Sequence, residues 1–144
     1  MSEESLHELR RVEHLVFVTL KYTRTVDIIR SALERMLSTL DAEVDSLFEK
    51  LIAKGEIDTA PAVPLLKWKK LEQIFPEDST IKDAVDFYHK IKKILHSDYR
   101  KKEEYRKNVA LVTRDEEVNI NTLESYVDMI KHFLKHMEGL VEED

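Results

Sequence analysis

Between Val12 and Leu51 apolar side chains return every third or fourth residue, and no glycine or proline interrupts them. The series includes Val12, Leu15, Val16, Tyr22, Val26, Ile29, Leu33, Met36, Leu40, Val44, Leu47 and Leu51, which is the period of an amphipathic helix with one buried stripe. A single helix from about residue 5 to about residue 54 would reach ~75 Å at ~1.5 Å per residue, whereas a compact domain of this length has a radius of gyration near ~15 Å. The helix therefore breaks or bends, with weak points in the β-branched patch at 19–25 and near 39–41, or it projects and pairs with another chain. A break or bend is the expectation.

Gly55 ends this unit, and GEIDTAPAVP reads as an irregular connection. A shorter helix is expected over about 62–75, carrying Leu65, Leu66, Trp68, Leu71, Ile74 and Phe75 and closed by Pro76. Asp78 or Ser79 can cap the next helix, whose stripe of Ile81, Val85, Tyr88, Ile91 and Leu95 suggests a run to about 108. VALVTRDEEVNI, at 109–120, is ambiguous, being β-branched and then acidic. Asn121 with Glu124 has the spacing of a capping box, which opens a last helix over about 122–138. The expected fold is all-α: a four- to five-helix bundle of up-and-down type, with a long N-terminal helix or a broken helix pair, forming a single domain over 1–144.

Composition narrows the chemistry. Two glycines cannot supply a Walker loop or a dinucleotide-binding turn. The absence of cysteine removes disulfides, thiolate metal sites and thiol nucleophiles, which suits a cytoplasmic chain. The opening MSEESLHELRR is too polar for a secretory signal, and no apolar run approaches the ~20 residues of a membrane span, so no membrane is expected among the partners. The charged fraction of 36%, with few amide side chains, resembles a heat-adapted composition.

The net charge of −6 is uneven. Residues 1–58 hold 8 basic and 12 acidic side chains, residues 59–107 hold 12 and 8, and residues 108–144 hold 3 and 9. Within 90–107 eight basic groups face three acidic ones, so any contact with a polyanion is expected to be local to this stretch. The competing reading is a solvated helix face.

Asp128, His132 and His136 stand four residues apart on the last helix and can present a carboxylate and two imidazoles from one side. That side lies opposite the core stripe, where a supported metal site is not expected. Glu4 with His7, and Asp86 with His89, have the carboxylate-x-x-His spacing of di-metal bundles but lack the inward-facing glutamates. No metal or other cofactor is expected. Trp68, flanked by lysines, can stack a base, although its apolar neighbours favour a core anchor.

A helix running into EEYRKNVALVTRDEEVNI and then a capped final helix resembles the C-terminal half of HEPN domains (higher eukaryotes and prokaryotes nucleotide-binding). In that family an Arg followed by a polar residue precedes a His after four to six positions, and the two meet their dimer mates in a groove where RNA is cut. Arg106, followed by Lys107 and Asn108, matches the Arg; the His would fall at Leu111, Val112 or Thr113, and none of these is His. The resemblance implies a degenerate member without the general acid/base. The sequence expectation is thus a non-catalytic helical module, homodimeric, with a protein partner or with RNA or a nucleotide-like anion at Arg100, Lys102, Arg106, Lys107 and Asn108. The alternatives are a HEPN-like ribonuclease and a metal-binding bundle. Dimerisation is expected because the first segment carries more apolar surface than one bundle needs to bury.

Overall fold

The computed structural model describes residues 1–141. The long apolar series folds as a helical hairpin. α1 (Glu3–His14) passes through a π-helical turn (Leu15–Thr19) into a final turn, α2 (Leu20–Tyr22), and the chain reverses into α3 (Val26–Ala53). Thr23 leaves the helical region there, with φ −132° and ψ 86°, and Thr25 takes extended backbone, with φ −120° and ψ 153°. The start of α3 is capped twice: the Thr25 hydroxyl accepts the Ile28 amide at 3.3 Å and the Glu104 carboxylate accepts the Val26 amide at 3.0 Å. The break thus falls in the first weak patch. The second stays helical because Thr39 and Leu40 are buried there, with the Thr39 hydroxyl satisfied by donating to the Arg35 carbonyl at 2.8 Å, one turn back.

α1 lies antiparallel on α3. Ser5 donates to Glu43 at 2.9 Å near one end of the pair and Arg35 reaches Glu8 at 3.3 Å further along. Leu9, Val12, Val16 and Leu20 are buried against the α3 stripe. The apolar face that suggested a second copy is therefore largely consumed inside one chain. Gly55, at φ +74°, ends α3: its amide returns to the Ile52 carbonyl and that of Glu56 to Leu51, each at 3.0 Å. This double closure needs a left-handed residue, which glycine adopts without penalty.

α4 (Pro64–Ile74) and α5 (Ser79–His96) follow, and α6 (Ile120–Glu138) closes the bundle. Between α5 and α6 the chain departs from the all-α expectation. β1 (Arg100–Lys102), β2 (Ala110–Val112) and β3 (Glu117–Asn119) form a small antiparallel sheet in the order β1-β2-β3. The molecule is predominantly helical with this one sheet. α5 stops at His96, not near 108, because its apolar stripe ends at Leu95 and residues 97–108 offer almost nothing to bury. Val109, Ala110, Leu111 and Val118 must be buried, and as paired strands they bury side chains while satisfying their backbone within the sheet. The cap of α6 also differs: Asn119 and Thr122, not Asn121 and Glu124, form the capping box. Thr122 N–H donates to Asn119 Oδ1 at 2.8 Å and Asn119 N–H to Thr122 Oγ1 at 3.3 Å, so the last residue of β3 is also the first cap of the helix.

α3 is the hub, contacting α1, α4, α5, α6 and β2. Its carboxylate Asp41 ties down two neighbours: it accepts Trp68 Nε1–H of α4 at 3.0 Å and the Tyr88 hydroxyl of α5 at 3.2 Å. The two rings stack at 4.6 Å, so Trp68 is a core anchor, fully buried. Burial raises the Asp41 carboxyl above the usual carboxylate range, opposed by these two hydrogen bonds.

Asp41→Ala leaves two buried donors without an acceptor and is expected to cost about 2–4 kcal/mol in denaturant unfolding, by the desolvation penalty of each orphaned group. Asp41→Asn, which keeps an acceptor oxygen, should cost clearly less. Equal losses for the two variants would mean that the acceptor is not what matters at this position.

Candidate functional site

α5 and α6 pack side by side and leave an open groove of about 600 Å³ between their outer faces. Its floor is aromatic because both core stripes place rings at their margins. Phe87 of α5 meets Tyr126 of α6 edge to face at 5.1 Å and Phe133 at 5.6 Å. All three are buried within the bundle, while Met129 stands exposed at the side. Burial pushes the Tyr126 phenol upward, keeping it protonated.

Charge sits on the rim. Asp83 and Asp86 lie three residues apart on α5, and Asp128 faces them from α6. These carboxylates are exposed, and none makes an ion pair or hydrogen bond among the described residues. Lys90 and His132 complete the rim. The Lys90 ammonium is engaged, 3.7 Å from Glu116 and 5.7 Å from the centre of the Tyr126 ring. An aromatic floor under unpaired carboxylates attracts a group that is apolar on one side and cationic on the other.

The groove takes two members of the metal trio and not the third. Asp128 and His132 line it, but His136, one turn on, donates Nε2–H to Asp78 Oδ2 at 2.7 Å. Asp78 is the N-cap of α5, accepting the Ile81 amide on its other oxygen at 3.0 Å. One carboxylate thus starts α5 and holds the end of α6. Among the described residues no three His, Asp or Glu side chains gather as a metal site.

The basic stretch is dispersed and partly neutralised. Arg100 and Lys102 are on β1, and Arg106, Lys107 and Asn108 are exposed in the loop to β2. This loop places Glu103 and Tyr105 at positive φ, 50° and 69°, a costly conformation for residues with a side chain. Hydrogen bonds hold it: the Tyr105 amide donates to the Arg24 carbonyl at 2.7 Å. The acidic run at 115–117 folds back on the lysines. Lys93 meets Asp115 at 3.5 Å, Lys102 meets Glu117 at 2.8 Å, and Lys101 lies 3.7 Å from Asp27 and 3.5 Å from Glu104. Arg100, Arg106 and Lys107 have no acidic partner among the described residues. The positions where an imidazole would stand after Arg106 are built into or beside β2, with Leu111 fully buried.

Reading the sequence by pairs missed the groove. Asp86 was paired with His89 by spacing alone, whereas it belongs with Asp83 across from Asp128. The available signal was a carboxylate repeated at the edge of an aromatic-bearing stripe on α5. The chain matches no family model, no curated protein and no solved structure.

Burial opposes ionisation of Asp78, but the Ile81 amide and the His136 ring outweigh it and hold the carboxyl below its usual value of 3.8. A depressed folded-state pKa gives stability that is present above the unfolded value and is lost as pH falls through the folded one. Asp78→Asn is therefore expected to flatten the acid limb of a stability-versus-pH curve below about pH 4, the unfolded carboxylate range. His136→Ala should cost about 1–2 kcal/mol at neutral pH, as loss of a charge-assisted hydrogen bond does. An unchanged acid limb in Asp78→Asn would remove Asp78 from this role.

Proposed function

We propose that this chain is a non-catalytic helical interaction module whose docking site is the α5–α6 groove, and that its partner is an amphipathic helix bearing apolar and basic side chains. The observation that carries this reading is the set of unpaired carboxylates, Asp83, Asp86 and Asp128, standing over an aromatic floor. Carboxylates left in water keep their charge available to a partner, and the exposed Met129 with the margins of the rings beneath it supplies the apolar area that gives such contacts affinity. Helix-in-groove recognition uses this combination. The same carboxylates repel phosphates, which argues against RNA in the groove.

A synthetic leucine–lysine amphipathic helix is a suitable probe, with a leucine–glutamate helix of equal length as control. The lysine peptide is expected to shift the amide NMR signals of Asp86, Phe87, Met129 and Phe133, and Asp86→Lys with Asp128→Lys should weaken its binding at least tenfold. Equal binding of both peptides, or shifts confined to other surfaces, would overturn the reading.

A second reading keeps the anion expectation, HEPN-like or otherwise, at the hairpin. It is supported by Arg100, Arg106 and Lys107, whose charges are not spent within the chain. It predicts RNA binding that weakens steeply with salt and is reduced by Arg106→Ala. RNA binding absent at low salt would eliminate it.

A further inference from the structure

The outer face of α1 and α2 differs from the rest of this acidic chain. From Leu6 to Tyr22 every exposed side chain is apolar or is Arg, Lys or His. Two acids occur in that stretch, and both are partly buried and turned aside: Glu8 to Arg35 at 3.3 Å and Glu13 to Lys131 at 3.1 Å. Arg10, Arg11 and Lys21 have no acidic partner among the described residues, and Phe17 and Val18 stand exposed between them. This strip has the chemistry required of the occupant of the α5–α6 groove. It is a preformed helix, basic and apolar on one side.

The strip and the groove also lie on either side of the same helix. α1 borders α6 on one flank, through Glu13 with Lys131 and through the Met1 amine with Glu138 at 2.8 Å. The groove opens on the other flank, between α6 and α5. From this we propose that the occupant of the groove is a second copy of this chain: the α1 strip of each protomer lies on the α5–α6 groove of the other, about a two-fold axis near α6. In this arrangement Arg10, Arg11 and Lys21 meet Asp83, Asp86 and Asp128, while Phe17 and Val18 cover the rings. Both contacts form together and close the assembly, leaving neither surface free to propagate a chain of copies.

The proposal rests on the groove reading given above, and a charge swap in the full chain separates the two. Sedimentation equilibrium at low salt is expected to show a dimer that loosens as salt is raised. Arg10→Glu with Arg11→Glu should weaken it at least tenfold, and so should Asp86→Lys with Asp128→Lys. In an equimolar mixture of those two variants the heterodimer has two complementary contacts, one native and one charge-reversed, and should form more tightly than either variant's homodimer, with circular dichroism showing that each is folded. A chain that stays monomeric at high micromolar concentration yet binds the leucine–lysine helix overturns the second-copy proposal and leaves the groove reading standing. A dimer indifferent to both charge reversals overturns the proposal as well, and failure of the unaltered chain to bind the leucine–lysine helix overturns the groove reading with it.

Discussion

α3 is buried on more sides than a surface helix can be, and the other elements are arranged to cover it. Its buried positions include the expected stripe from Val26 to Leu51 and also Ala32, Thr39, Ala42 and Glu43, which lie outside that stripe. A helix of 28 residues so covered needs neighbours on several flanks at once. α1 takes one, α6 another, and α5 with α4 a third. The polar groups that this burial traps are satisfied by the neighbours themselves: Glu43 by Ser5, Asp41 by Trp68 and Tyr88. These bonds select one arrangement among the many that apolar contact alone would allow.

Much of this was legible in the sequence where local chemistry decides. The break falls in the β-branched patch at 19–25, one of the two weak points the sequence shows, where the residues have little apolar surface to gain by staying helical. Gly55 marked the end of α3, Asp78 the start of α5, and the apolar neighbours of Trp68 its place in the core. The stretch from 97 to 119 was not legible, because its strands exist only as partners. RKK, ALV and EVN are each three residues long, too short to show a period, and their pairing is set by contacts up to a dozen residues away. The cap of α6 is hidden for the same reason, since Asn119 becomes a cap only once β3 has delivered it.

Charge shows the same division between local and non-local order. Read along the chain, the basic run at 90–107 and the acidic run at 115–117 are separate features, the first suggesting an anion site and the second part of an ambiguous stretch. Folded, the sheet and the end of α5 bring much of this charge together, and besides Arg100, Arg106 and Lys107 the unspent charge lies on the rim of the α5–α6 groove and along the outer face of α1. Neither place stands out along the chain, because each is made of ordinary helix-surface residues whose distinction is the lack of a neighbour of opposite sign.

The cap supplied by Glu104 to the Val26 amide has a consequence for the order of events in folding. It joins residues 78 positions apart in sequence, and it sits at the corner where α2 gives way to α3. While the chain is being synthesised, α1 and α3 can find each other long before residue 104 exists, so their hairpin first forms with an unfinished corner. Only when the β1–β2 loop docks, bringing Glu104 to Val26 and Tyr105 to Arg24, are those backbone groups withdrawn from water. Two parts of the molecule that share almost no sequence neighbourhood are thus joined, and exchange of the Val26 amide with solvent reports on that docking.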